Sequence, residues 1–177
     1  MATTKWVIDP MHSEVTFKVK HLMITTVTGY FRTFNLEVET NGDDFNSASR
    51  IEFTADIDSI DTNNKDRDTH LKSPDFFNAA EHAKLRFVGK KLHASGNEGT
   101  IEGDLTIRGI THPVTVSVEL GGTVVDPYGQ HKAGFTVTGK INRKDYGLVW
   151  SAVTEAGNVV VSDEIRLAAE VQLIKQA

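Results

Sequence analysis

Residues 101–120, IEGDLTIRGITHPVTVSVEL, decide the fold class, because apolar and polar residues alternate along them. Every second residue faces the same side, and that side carries Ile101, Gly103, Leu105 and Ile107, then Val114, Val116, Val118 and Leu120. The opposite side carries polar residues such as Glu102, Thr106 and Ser117. A period of two with one dry and one wet face is typical of half-buried antiparallel strands.

The same alternation recurs in four other stretches of the chain. Their apolar faces carry Val15, Phe17 and Val19; Ile51, Phe53, Ala55 and Ile57; Phe135, Val137, Gly139 and Ile141; and Ile165, Leu167, Ala169, Val171 and Leu173. Turn signals separate the stretches, among them Gly96-Asn97, Arg108-Gly109 and Ala156-Gly157-Asn158. The pattern predicts an all-β fold with one domain over residues 1–177, and it leaves a sandwich and a barrel equally open.

Composition excludes several classes of function. The chain has 177 residues, a formal net charge of −5 and no cysteine. Mild acidity argues against a surface for nucleic acid or anionic membranes, and the lack of cysteine excludes disulfides, thiolate metal sites and a Cys nucleophile. No apolar stretch has the length of a signal peptide or a membrane span. We therefore expect no stable membrane insertion and a cytoplasmic protein, or a periplasmic or secreted one if a signal was removed.

Three stretches of the sequence predict short helices. Asp9 before Pro10 suits an N-cap followed by a first helical position. The polar stretch 61–72 lacks alternation, and Asn63 or Asn64 is suited to cap a helix there. Ser73-Pro74-Asp75-Phe76-Phe77 predicts a second helix beside it, with both phenylalanines directed into one end of the β structure.

Small residues interrupt four of the apolar faces: Ala55, Gly103, Gly139 and Ala169. They indicate either tight packing and a bend in a barrel, or space inside it. An eight-stranded closed sheet is filled by side chains or holds one small ligand, so both interpretations are consistent with a barrel.

No constellation of catalytic or metal-binding residues is evident in the sequence. The seven histidines form no closely spaced metal pair, and His12-Ser13 lacks the signature of a nucleophile elbow. The structural interpretation of Arg67-Asp68 is an ion pair or a pairing on the helix surface that fixes the crossing segment, and the functional one is that Arg67 meets an anionic ligand head. Residues 143–147, Arg-Lys-Asp-Tyr-Gly, are a second candidate for that role, although the pattern favours a solvated turn.

The chain resembles the YceI family of bacterial polyisoprenoid-binding, lipocalin-like proteins over residues 6–173. The matching motifs include Trp6–Ser13 (WVIDPMHS), Phe17–His21 (FKVKH), Ser73–Phe77 (SPDFF) and Gly103–Thr111 (GDLTIRGIT). The resemblance implies an extended eight-stranded antiparallel β-barrel with short helices at one end. It also implies an apolar channel for a polyisoprenoid chain such as a prenyl phosphate or a quinone tail, dimerisation, and no assigned catalytic residues.

We therefore predict a lipid-binding protein for carriage or storage, with no cofactor other than a bound isoprenoid lipid. The predicted ligand-binding residues are Phe17, Val19, His21, Phe31, Arg67, Leu71, Phe76, Phe77, Phe87, Leu105, Ile107, Phe135, Val137 and Ile141. Two alternatives stay open. One is a structural or stress-protective barrel that acts through protein partners and has a solid interior. The other is an enzyme on prenyl substrates that uses His21, Arg67, Asp68 and His70.

Overall fold

A computed structural model describes residues 3–151 and 160–177. Eleven β segments account for most of them: β1 (Thr3–Ile8), β2 (Glu14–His21), β3 (Thr25–Phe31), β4 (Phe34–Asn41), β5 (Arg50–Asp56), β6 (Ile60–Asp61), β7 (Lys84–Ser95), β8 (Glu98–Ile107), β9 (Ile110–Val125), β10 (His131–Asn142) and β11 (Glu164–Lys175). One α-helix, α1 (Lys65–Lys72), and four 3₁₀ turns (Pro10–His12, Phe45–Ser47, Ile57–Ser59 and Arg143–Tyr146) are the other regular elements of the described part.

The segments form one closed antiparallel barrel of eight strands. A 3₁₀ turn divides the first strand into β1 and β2, and another divides the third into β5 and β6, while β3 and β4 form the second strand. β7 pairs with β5, and β8 to β11 follow in order, each paired with its predecessor. The ring closes because β1 pairs with β11, with Trp6 opposite Lys175 and Ile8 opposite Leu173. This closure confirms the barrel and excludes the sandwich.

The apolar faces predicted from alternation line the barrel interior. Buried residues group into two clusters, one around Phe31, Leu105 and Tyr146 near α1, and one around Trp6 and Leu173 near the opposite end. The predicted turns at Gly96 and Gly109 have φ values of 63° and 73°, which glycine adopts without strain. The predicted turn at 156–158 lies outside the described residues.

The helix predictions are confirmed in part. Asp9 caps the turn Pro10–His12 through Oδ1, which accepts from the Met11 N–H at 3.0 Å, and Asn64 caps α1 by accepting from the Arg67 N–H at 3.0 Å. The second helix predicted at 73–77 is wrong, because the segment forms turns. The Phe77 N–H bonds back to the Leu71 carbonyl at 3.0 Å, which folds the chain onto the end of α1.

Candidate functional site

Three cavities follow one another inside the barrel. The α1-end cavity has a volume of about 250 Å³ and lies under α1, the central cavity has about 160 Å³, and the far-end cavity has about 110 Å³. The α1-end and central cavities share Phe31, Leu85 and Leu167 in their walls, and the central and far-end cavities share residues such as Ile51 and Val171. Together they form a line of apolar space, which we call the channel.

One strand shows how far the channel extends. Along β11, Ile165 borders the α1-end cavity, Ala169 the central cavity and Leu173 the far-end cavity. Eight residues of strand span roughly 26 Å, or about 20 Å along the axis of a barrel whose strands tilt by 35–45°. The channel is therefore long and narrow, and it suits a chain-like apolar molecule better than a compact one.

Every residue predicted to bind ligand lies in the wall of one of these cavities. The α1-end cavity is bordered by Phe17, Val19, His21, Phe31, Arg67, Leu71, Phe76, Phe77, Ile107 and Ile141. The central cavity is bordered by Phe31, Phe87, Leu105 and Val137, and the far-end cavity by Phe135 and Val137. This places the set along the channel, and its role in binding stays a prediction.

The four small residues divide between the two interpretations. A Cβ added to Gly103 would lie 2.6 Å from Cζ of Phe87, so this glycine makes room for an aromatic ring. Ala55 is fully buried within the core. Gly139 and Ala169, in contrast, border the central cavity. A Cβ at Gly139 would also lie only 3.0 Å from Cγ1 of Val116, so tight packing explains three of the positions, and open space explains Ala169.

Arg143 is buried, and the prediction of a solvated turn at 143–147 is wrong for it and for Tyr146. Its side chain is 2% exposed and borders the α1-end cavity. Nε donates to the Ser162 carbonyl at 3.0 Å, and Nη1 donates to the carbonyls of Leu148 and Trp150, both at 2.6 Å. These acceptors lie outside residues 143–147. The local sequence pattern therefore gives no sign that Arg143 is buried.

The Arg143 guanidinium is incompletely paired. Within the described residues, Nη2 has no hydrogen-bond partner, and its nearest carboxylate is that of Asp163 at 3.6 Å, beyond hydrogen-bond length. Burial lowers the pKa of Arg143, and the charge of Asp163 offsets part of this effect. The Asp163 side chain is 47% exposed and also pairs with Lys144 at 3.3 Å, so it is shared between two cations.

An aromatic cluster covers the same end of the channel. His70 contacts Phe76 and Trp150 edge to face, with ring centroids 5.1 and 5.0 Å apart, and its Nε2 lies 2.9 Å from Oδ2 of Asp75. Phe76 and Trp150 are 5.4 Å apart. All three rings border the α1-end cavity, so the cluster forms an apolar cap held in place by α1.

Arg67 and Asp68 are engaged with Thr62 instead of with each other. Arg67 Nε donates to Thr62 Oγ1 at 2.8 Å, and Asp68 Oδ1 accepts from the Thr62 N–H at 2.9 Å. Both side chains therefore fasten the start of α1 to the strand that precedes it. Arg67 and Asp68 do not form an ion pair with each other, but they fix the crossing segment as the structural interpretation predicts. Arg67 is also exposed and borders the cavity.

The two ends of the channel differ in charge. The ionisable residues that border the α1-end cavity are Lys20, His21, Arg67, His70 and Arg143, and the described wall contains no carboxylate. At the far-end cavity, the ionisable residue of the described wall is Glu98. Lys20 and His21 on β2 and Arg67 on α1 are exposed, so the cavity wall reaches the surface at both elements.

Several residues of the channel wall were missed in the sequence. Ile165 and Leu167 lie on a predicted apolar face, and the alternation could have identified them. Leu148, Trp150, Val160 and Val161 lie on irregular segments with no period to indicate their direction. Among the described residues, no three His, Cys, Asp or Glu side chains converge as metal ligands, and no helix is long and apolar enough to span a bilayer.

Comparison with known proteins gives one family match. The model of the YceI-like domain matches residues 6–173. The UPF0312 protein SERP2314 of Staphylococcus epidermidis is 40% identical over 172 residues, which is 96% of each chain.

Solved structures share the barrel. The YCEI protein of Campylobacter jejuni aligns with a TM-score of 0.76 at 31% identity, covering 89% of this chain and 90% of that one. A polyisoprenoid binding domain from Saccharophagus degradans, implicated in plant cell wall breakdown, aligns with a TM-score of 0.67 at 15% identity, covering 97% and 98%. At that identity the second likeness concerns the fold alone.

Proposed function

Since the chain belongs to the YceI-like domain family, we propose that its barrel binds a long isoprenoid-type lipid, a polyprenyl phosphate or an isoprenoid quinone, for carriage or storage. The observation that carries this proposal is the row of three adjacent apolar cavities from Ile165 to Leu173. Burial of apolar surface contributes about 25 cal/mol per Å², so a chain that fills the channel gains affinity along its whole length.

One structural neighbour supports the isoprenoid class. The Saccharophagus degradans domain is described as polyisoprenoid binding, and it shares this barrel topology. An isoprenoid tail is branched, apolar and linear, which matches a narrow channel walled by Phe, Leu, Ile and Val side chains.

The two alternatives receive less support from the geometry. A purely structural barrel calls for an interior packed solid, whereas the central cavity alone measures about 160 Å³. The enzyme alternative would need Arg67 and Asp68 to be available to a substrate, whereas both side chains bond to Thr62. The homodimer implied by the resemblance stays a prediction.

The direct test is extraction of the natively purified protein with organic solvent, followed by mass spectrometry. We expect an isoprenoid alcohol, phosphate or quinone in near-stoichiometric amount. Recovery of no lipid, together with no binding of added polyprenyl phosphate or quinone, would overturn the proposal.

A substitution that fills the central cavity tests whether the lipid binds in the channel. Ala169→Phe places a ring in the central cavity, and we expect lipid binding to fall at least about tenfold, which corresponds to 1.4 kcal/mol. The matched control is Arg166→Phe on the same strand, whose side chain is 76% exposed on the outer face. Both variants need to retain wild-type circular dichroism, and equal binding by the two would argue against the channel as the site.

A further inference from the structure

We propose that Arg143 anchors an oxyanion head group at the α1 end of the channel, so that the bound lipid is anionic and its tail points toward the far end. The inference rests on the proposed function and deepens it by naming the chemical class of the head and its direction. A phosphate or diphosphate ester has this chemistry, whereas a quinone or a free alcohol does not.

The first support is the unsatisfied bonding of Arg143. Three of its hydrogen bonds go to carbonyls through Nε and Nη1, while Nη2 is buried without an acceptor in the described part of the chain. A buried, unpaired donor on a charged group costs several times what a neutral one does. An oxyanion is the acceptor that such a donor binds best, because a guanidinium matches the geometry of phosphate oxygens.

The second support is the charge of the surroundings. The protein carries a net charge of −5, yet the described wall of the α1-end cavity holds three cations, Lys20, Arg67 and Arg143, and no carboxylate. Asp163, the nearest described acid to Arg143, lies 3.6 Å from Nη2 and is shared with Lys144. Among the described residues, the positive charge at this end is therefore compensated only in part.

The third support is the contrast with the far end. There the wall consists of apolar side chains such as Phe45, Phe135 and Leu173, and its rim carries Glu98. An anionic head would be repelled by Glu98 and would find no cation in the described wall. An apolar tail fits there, and the asymmetry sets the direction of the ligand.

Entry of the head requires a local adjustment. Nη2 has almost no solvent-accessible surface, so an oxygen reaches it only after a covering side chain moves. Trp150, whose backbone carbonyl accepts from Arg143 while its ring caps the cavity, links the position of the guanidinium to that of the cap.

The test compares a polyprenol with its monophosphate, both of the same chain length, on the wild-type protein. We expect the phosphate to bind at least about tenfold more tightly, the gain of one or two charge-assisted hydrogen bonds. Inorganic phosphate alone is the third arm, and we expect no binding at millimolar concentration because the tail supplies most of the affinity. Equal affinity for prenol and phosphate overturns the anchor but leaves lipid binding intact, whereas binding of neither overturns both proposals.

Substitutions of Arg143 test whether this side chain causes the preference for polyprenyl phosphate over polyprenol. In Arg143→Gln we expect the preference for phosphate to collapse toward unity while the prenol still binds, and in Arg143→Lys we expect part of it to return. The control is Arg166→Gln, an arginine on the outer face, which should keep the wild-type preference. An unchanged preference in folded Arg143→Gln would contradict the proposal.

Because Arg143 also holds three carbonyls, its variants can fail to fold, and a second measurement on the wild-type protein covers that case. A polyprenyl phosphate with a photoreactive group at the tail tip should cross-link near Phe45 and Phe135, and one with the group beside the phosphate near Trp150. The reverse pattern, or equal labelling of both ends, would overturn the direction.

Discussion

Lys132 Nζ lies 2.9 Å from Oδ2 of Asp9, and the two side chains are only 12% and 10% exposed. The same carboxylate oxygen lies 2.7 Å from His12 Nδ1, and the other accepts from the Met11 N–H. Burial by itself would raise the pKa of Asp9, but the hydrogen bonds from His12, Lys132 and Met11 outweigh it and hold the pKa below its usual value. The contact fastens the turn between β1 and β2 to β10.

The first prediction concerns this carboxylate. Because its pKa is lowered in the folded protein, ionised Asp9 stabilises the fold above its unfolded pKa of about 3.9, and this contribution is lost as pH falls through the lower folded value. We expect Asp9→Asn to reduce the free energy of unfolding by about 1–3 kcal/mol at pH 7. Urea unfolding at pH 7 and below pH 4 is the measurement. The difference in the free energy of unfolding between Asp9→Asn and wild type should be smaller at the acidic pH.

The control for this prediction is Asp43→Asn, which removes an exposed carboxylate paired with Lys175. Exposed pairs contribute about 0–1 kcal/mol, so this variant should change little at either pH. If the stability lost in Asp9→Asn were the same at both pH values, the predicted link between the ionisation of Asp9 and the stability of the fold would be contradicted.

The second prediction concerns Tyr146, whose hydroxyl is buried without a hydrogen-bond partner in the described residues. Removing an unsatisfied hydroxyl relieves a desolvation cost, so Tyr146→Phe should leave the free energy of unfolding unchanged or raise it by up to about 1 kcal/mol. A loss of more than about 1 kcal/mol would show that the hydroxyl has a partner.

Burial also raises the pKa of Tyr146 to about 12. The folded protein then holds a proton that the unfolded chain releases near pH 10, so stability should fall as pH rises from about 10 to 12. Tyr146→Phe should remove the late phase of the tyrosinate absorbance titration at alkaline pH and weaken this loss of stability.

The third prediction concerns Gly103, where a Cβ would lie 2.5 Å from the Val88 carbonyl oxygen and 2.6 Å from the ring of Phe87. Backbone on one side and a packed ring on the other leave no room for a methyl group. We expect Gly103→Ala to reduce the melting temperature and to cost about 1–3 kcal/mol. Gly134→Ala is the matched control in a neighbouring part of the barrel, because its nearest atom would be 3.9 Å away, and similar losses in both would contradict the packing argument.

The fourth prediction concerns Phe76, which is buried and caps the channel beside Trp150. Phe76→Ala should open the α1 end, so we expect bound lipid to dissociate about tenfold faster, or roughly 1.4 kcal/mol, with a smaller effect on unfolding. The emission of Trp150 offers a readout of lipid release. Phe34→Ala is the control, because Phe34 packs against both core clusters but borders none of the three cavities, and it should cost stability alone. If Phe76→Ala lowered the free energy of unfolding and the retention of lipid to the same extent, Phe76 would be an ordinary core residue with no role as a cap.

Most of the strands could be predicted from the sequence because alternation is a local property of each segment. The runs around Phe17, Phe53, Leu105, Val137 and Ala169 all form the expected strands with the expected inward face. Barrel closure could not be predicted in this way, because it depends on Trp6 meeting Lys175 from the other end of the chain. The family resemblance supplied that information.

The misses have a common physical cause. The helix expected at 73–77 and the solvated turn expected at 143–147 rest on local residue types, while backbone groups outside each segment decide both. The Phe77 N–H donates to the Leu71 carbonyl, and the Arg143 guanidinium donates to the carbonyls of residues 148, 150 and 162. The aliphatic wall was thus predictable from periodicity, and the cationic end of the channel was not.

The pairing of β1 with β11 also has a kinetic consequence. β11 pairs with both β1 and β2, so the ring stays open during synthesis until nearly the whole sequence has left the ribosome. Contacts between such distant segments carry a large loop-closure entropy and slow folding. Before β11 pairs with β1 and β2, the apolar interior faces solvent. The nascent chain is therefore expected to depend on chaperones, or on early uptake of its lipid, to avoid aggregation.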